Sequence, residues 1–303
     1  MYRTNCRPET SEDTSPPTAS YLPRPRTLVF SLVAILLPLG SSQGRLNAQQ
    51  PAVSPVSRIL TGSFAALSSG NATVQEVILT GSVAITTDAQ TTQGTVRLVS
   101  NASGMTRVEI NSPSGDRIET RRIQQRVLPS DVGGAGNPRP VPPQTGESRS
   151  GSGAVTATSL HNLLVDPGWF FPEHLVSRTI ASPRPATVVP AAQVDGTTAI
   201  GIDSYLVATL SNHAAALRQV SELTVFFDQT TLLPVEIQYN SHENDSLLKI
   251  IPTRVVYGNY QAVQGHMVPF HIQRYEKGLL HDDITITNVA LNPGVASSEY
   301  SLN

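Results

Sequence analysis

Two segments carry the spacing of a serine nucleophile. Gly40-Ser41-Ser42-Gln43-Gly44 fits the G-x-S-x-G elbow, and Ser246-Leu247-Leu248-Lys249 fits S-x-x-K. The first sits just behind an apolar run with the layout of a signal segment, so it is expected to leave with that segment. The second needs both residues on one turn of a helix beside an oxyanion hole. It stands instead where a loop enters a strand, and no K-T-G occurs in the chain. A third group, His271, His281, Asp282 and Asp283, belongs to a C-terminal hairpin. His271, His281 and Asp283 would share one face there, the smallest set a Zn²⁺ site requires. Cross-strand polar pairs on a solvated face give the same pattern without metal, and that is the reading adopted. Neither a catalytic centre, a metal site nor a cofactor is expected, and the chain does not read as an enzyme.

The signal reading rests on Leu28 to Leu39, 12 uncharged residues behind Arg24 and Arg26. As a helix that run would be about 18 Å long, short of a bilayer core of about 30 Å, and Pro38 weakens it further. Cleavage is expected near Ala48, leaving residues 1–48 as N-terminal extension and signal and 49–303 as one β-rich domain. The one cysteine, Cys6, falls in the removed part, so the exported part has neither a disulfide nor a thiolate ligand. Five of the 21 basic residues and three of the 23 acidic ones precede Gln49, which leaves 16 against 20. That balance, with no basic stripe, argues against a nucleic-acid partner. Arg117, Arg121, Arg122 and Arg126 form the densest basic run and read as a solvated strand face. No second long apolar run suggests a membrane span, and a periplasmic or secreted location is expected.

Ser54-Pro55 has the form of an N-cap and first helical residue. Val56, Ile59, Leu60, Phe64 and Leu67 then recur at helical spacing. From Val74 the period becomes two, and Val77, Leu79, Val83 and Ile85, then Val96 and Leu98, then Val108 and Ile110, predict a meander of about four strands. Residues 128–154 are dense in Pro, Gly and Ser and predict a disordered loop within the domain. Ser159 to Ile180 predicts two short helical stretches, followed by a Pro-rich connection from Ser182 to Pro190. Six further strands are expected between Ile200 and Leu291. Helices set before and between two blocks of antiparallel strands define an α+β fold. In the last hairpin, Tyr275 opposite Leu279 across Glu276-Lys277-Gly278 puts Phe270 and Ile272 on one face with Ile284 and Ile286. A two-residue turn at Lys277-Gly278 would mix the faces and is rejected on that ground.

The residues best suited to binding are Trp169, Phe170 and Phe171, with Leu175 on the helical stretch that follows. Set against a sheet, they could line an apolar pocket. Core packing of helix on sheet is the alternative.

Val225-Phe226-Phe227-Asp228 through Leu233-Pro234, then Tyr257-Gly258 with Gly265-His266-Met267-Val268-Pro269-Phe270, then Ile284 to Val289, resemble strand and turn patterns of the lipoprotein-carrier-like superfamily of periplasmic carriers and sensors. With Leu160 to Leu175, the chain looks like exported acidobacterial-type proteins of that kind. The resemblance implies a curved antiparallel sheet, an unclosed half-barrel, with helices covering the concave face and an apolar cavity for acyl chains. The expected function is therefore a non-catalytic periplasmic protein binding an apolar ligand, a lipid or a lipoprotein acyl chain. An envelope structural or sensory module that contacts another envelope protein is the second expectation.

Overall fold

Ser54 and Pro55 open the first helix as their types require. In the computed structural model the Ser54 hydroxyl accepts from the Ser57 N–H at 3.1 Å, Pro55 takes the first position, and α1 runs Pro55–Ser68. Ser69, at φ 49°, and Gly70, at φ 81°, end it in the left-handed region. Leu60 and Leu67 are buried, with Val56, Ile59 and Phe64 packed beside them, so the apolar stripe legible in the sequence is the face that meets the sheet. The structure describes residues 53–87, 90–122, 144–159, 161–166, 168–182, 184–207, 214–244 and 246–302. The signal run, Cys6, the Gly40–Gly44 motif, Arg126 and residues 128–143 lie outside them.

The expected meander is present as β1 (Glu76–Thr87), β2 (Gln90–Asn101), β3 (Met105–Asn111) and β4 (Arg117–Arg122). Two more strands extend it, β5 (Gln144–Ser150) and β6 (Thr156–Ser159). Part of the segment assigned to the disordered 128–154 loop is therefore a strand. Gln144 to Ser150 contains a single glycine and no proline, and it pairs its backbone with β4 from Arg117↔Ser150 to Arg121↔Gly146. Composition averaged over the whole segment hid it. The second block comprises β7 (Ala186–Val194), β8 (Thr197–Ser204), β9 (Leu223–Asp228), β10 (Pro234–Glu243), β11 (Ser246–Val263), β12 (His266–Glu276) and β13 (Leu279–Leu291). Strand β7 replaces much of the expected Pro-rich connection. Pro190 is tolerated because β7 is an edge strand with a register shift between Val189 and Ala192, where an N–H is not needed. Among the described residues between Ser159 and Ile180 only the second stretch is helical, as α2 (Pro172–Ala181), and a short α3 (Ala214–Gln219) precedes β9.

All of these strands join one antiparallel sheet in the order β6-β5-β4-β3-β2-β1-β13-β12-β11-β10-β9-β8-β7. Glu119 of β4 and Tyr239 of β10 are seven strand spacings apart, about 33 Å on a flat sheet, yet both line one chamber of about 30 Å³. The sheet must therefore curl, and since β6 and β7 do not pair, it stays unclosed. The fold is the expected α+β half-barrel. Where β13 closes onto β1, the register shifts between Thr80 and Gly81, and a Cβ on Gly81 would come within 2.0 Å of the Thr285 carbonyl. Only glycine allows that approach.

The C-terminal hairpin has the predicted apolar face but not the predicted turn, and His281 leaves the expected polar face for the inner cleft. Glu276 lies opposite Leu279 across Lys277 and Gly278, at φ 50° and 82°, which is the two-residue turn that was rejected. A bulge after Tyr275↔Leu280 adds one residue, so Arg274 meets Asp282 and Ile272 still meets Ile284 inside the core.

Candidate functional site

The chain between the two sheet edges, from β6 to β7, has to pass over the concave side. It carries the aromatic cluster and α2. Phe170, Phe171 and Leu175 are 0%, 1% and 2% exposed and belong to the main core, so they pack helix onto sheet and line no open pocket. Trp169 is half-buried, sits edge-on to Phe170 with ring centroids 5.3 Å apart, and has its carbonyl bound by the Tyr257 hydroxyl at 2.5 Å. It borders the chamber of about 30 Å³. Such a space suits a water or two, not an acyl chain.

Buried polar contacts fix α2. Glu173, 1% exposed, accepts from the Val74 N–H at 2.9 Å with one oxygen and from His266 Nδ1 at 2.7 Å with the other. His174 is fully buried; its Nε2 donates to the Val74 carbonyl at 2.8 Å, and its Nδ1 accepts from the Ser100 hydroxyl at 2.9 Å. Burial pushes the His174 pKa down from 6.5 to about 3. The unfolded chain therefore binds this proton below pH 6.5 while the folded chain does not until about pH 3, so stability is lost as pH decreases through that window. At pH 5 the cost from this group is about 2 kcal/mol. Melting temperature measured from pH 7 to 5 should drop, and His174→Gln should flatten that slope.

Around Trp169 the concave face is charged. Arg121, 6% exposed, donates to the Thr158 hydroxyl and lies 3.6 Å from Asp166, whose carboxylate accepts from the His161 N–H at 2.6 Å. Arg274 contacts Glu276 at 2.6 Å and Asp282 at 3.4 Å, with its guanidinium 5.9 Å over the Trp169 ring. Burial alone would lower the Arg274 pKa, but Tyr239, Asp282 and Glu276 together hold it above the ordinary arginine value. Arg117 and Arg121 therefore do not form the solvated strand face expected of them. Both point into the half-barrel, and a polar cleft of about 480 Å³ opens beside them between Arg117, His161, His242 and His281. Strand alternation placed Arg117, Glu119 and Arg121 on one face, but only the curl of the sheet brings them to Arg274.

The histidine group divides. His271 pairs with Asp283 at 2.7 Å, whereas His281 turns to Asp282 at 3.0 Å. Among the described residues no group of three His, Cys, Asp or Glu side chains is placed to hold a metal ion. Ser246 and Lys249 both lie in β11, on no helical turn; Ser246 is buried, whereas Lys249 is exposed and pairs with Glu243 at 2.5 Å.

An apolar groove of about 530 Å³ lies on the far side of α2, between the first turns of α1, the end of α2 and the edge strand β7. Its apolar wall is formed by Val56 and Leu60 from α1, Ile180 from α2, and Ala186 and Val188 from β7, while Arg184 and several serine and threonine side chains complete the lining. Ile180 and Val188, both on its wall, are 40% and 38% exposed. Sequence reading missed this groove because its third wall lies in the segment taken for a connection.

The fold and site together define an α+β half-barrel with helices over its concave face and an apolar groove at one edge. No protein-family model matches the chain, and no curated protein does. Solved structures with a similar fold include a DUF1329 family protein from Desulfovibrio piger, at 9% identity over 82% of this chain and 98% of that one, with a TM-score of 0.49. A LolA superfamily protein from Nitrosomonas europaea matches at 10% identity over 80% and 96%, TM-score 0.42. A domain named for outer-membrane lipoprotein sorting, from Vibrio parahaemolyticus, matches at 8% identity over 75% and 89%, TM-score 0.43. Among the described residues no helix is long and apolar enough to cross a membrane.

Proposed function

We propose that the chain is a non-catalytic, exported protein of the lipoprotein-carrier-like kind that shelters one apolar chain, a lipid acyl tail, in the groove between α1, α2 and β7. The observation that carries this reading is the groove itself: about 530 Å³, walled by aliphatic side chains, and in the size range of small-ligand sites. Removing methylenes from water contributes roughly 0.8 kcal/mol each, so a modest length of chain suffices for binding without polar chemistry. The Trp169 cluster then supports the site from behind by fixing α2, and the ligand does not touch it. Val188→Asp places a charge in the wall at a half-exposed position, where folding should tolerate it. Titration with a neutral long-chain probe should show binding to the wild-type chain and at least a tenfold loss in this variant. Equal binding by both, or none by either, would remove the groove from consideration.

A further inference from the structure

The groove is apolar but not featureless. Among the described residues, Arg184 is the one charged side chain lining it, and no carboxylate lies among the lining residues. Thr179 Oγ1 accepts from Arg184 Nη2 at 3.1 Å, while the Nε is buried without an acceptor. A guanidinium has five N–H donors, so one bond to a neutral hydroxyl leaves most of its capacity and all of its charge uncompensated. Burial holds the Arg184 pKa below the ordinary arginine value, and its charge in turn helps burial to lower Arg178 to about 10. The first turn of α1 also faces the groove and contains no acidic residue, so the helix dipole adds to the positive field. An uncompensated cation at the rim of an aliphatic groove is complementary to an amphiphile with an anionic head and one chain.

We infer that the groove selects a single-chain fatty carboxylate, with the head group on the Arg184 guanidinium and the chain along Val56, Leu60, Ile180 and Val188. This rests on the acyl-binding reading above and adds charge selection to it. One guanidinium neutralises one negative charge, and its paired N–H groups match the two oxygens of a carboxylate. A phosphate monoester carries nearly two charges, and its three oxygens match the paired N–H groups of one guanidinium less closely.

The test is native mass spectrometry of the full chain with palmitate, hexadecanol and lysophosphatidate, repeated on Arg184→Gln and Arg184→Lys. Palmitate should bind the wild type at least tenfold more tightly than the other two. Arg184→Gln should lose that margin while keeping its hexadecanol affinity, and Arg184→Lys should retain part of it. Equal binding of palmitate and hexadecanol by the wild type overturns charge selection and leaves acyl binding standing. Tighter lysophosphatidate binding overturns the carboxylate assignment. If no amphiphile binds, the acyl-binding reading fails with it. Should Arg184→Gln fail to fold, the wild-type comparison still decides.

Discussion

Glu173→Ala is expected to destabilise the protein by about 2–6 kcal/mol, since two buried donors would be left without their acceptor at about 1–3 kcal/mol each. Two partners lose their acceptor at once. The Val74 N–H, at a fully buried residue, and His266 Nδ1 each bond a different oxygen of this carboxylate, and neither has water to turn to. Because Val74 leads into β1, His266 begins β12 and Glu173 opens α2, the loss would release the helix from two strands of the half-barrel. Glu173→Gln keeps one acceptor and should cost less than half as much. Urea denaturation followed by the fluorescence of Trp169, the one tryptophan in the chain, measures both. A change under 1 kcal/mol for the alanine variant would mean that α2 is held by its apolar face alone.

Arg274→Ala should cost a similar amount for a different reason. The Asp282 side chain is 3% exposed and relies on Arg274 and His281 for compensation; their proximity keeps its pKa low against the opposing effect of burial. Without Arg274, Asp282 and Glu276 are left with excess negative charge inside the half-barrel. Trp169 would lose the cation over its ring, so its emission should shift in the folded state as well. Arg274→Met combined with Asp282→Leu should recover most of the stability, since a buried ion pair replaced by apolar groups of similar volume is often neutral. If the double variant were as unstable as the single one, Arg274 would owe its effect to packing and not to charge.

How much of this was legible in the sequence depended on range. Local patterns were reliable: Ser54-Pro55 and the Val56 to Leu67 stripe define α1, and the alternation from Val77 to Ile110 defines β1 to β3 with the correct inward residues. The apolar face of the last hairpin was also right, although the turn and the place of His281 were not, because a bulge at His281 restores the register that a two-residue turn displaces. Strands β5 and β7 were missed for a common reason. Both are polar or proline-bearing strands near an edge, where a strand need bury only one face and can omit a hydrogen bond. Asp195-Gly196, at φ 44° and 82°, was the available clue to the hairpin from β7 to β8.

The site was less legible than the fold. Trp169 to Phe171 drew attention by residue type, and type alone does not separate a pocket wall from a core. Their exposure does, and it assigns Phe170 and Phe171 to the core. The groove needs α1 to meet the end of α2 and β7, which lie more than a hundred residues further along the chain, and no pattern within one segment announces that. Arg184 followed the end of α2 in what looked like a linker. Its significance depends on the absence of a carboxylate around it, which only the fold reveals.

The location of a bound chain is the most direct test of the account. A palmitate analogue carrying a photoreactive diazirine along its chain should, on irradiation with the full chain, label residues 54–61 and 179–188 and be displaced by unlabelled palmitate. Labelling of the polar cleft around His161, His242 and His281, or scattered labelling that palmitate does not displace, would contradict it.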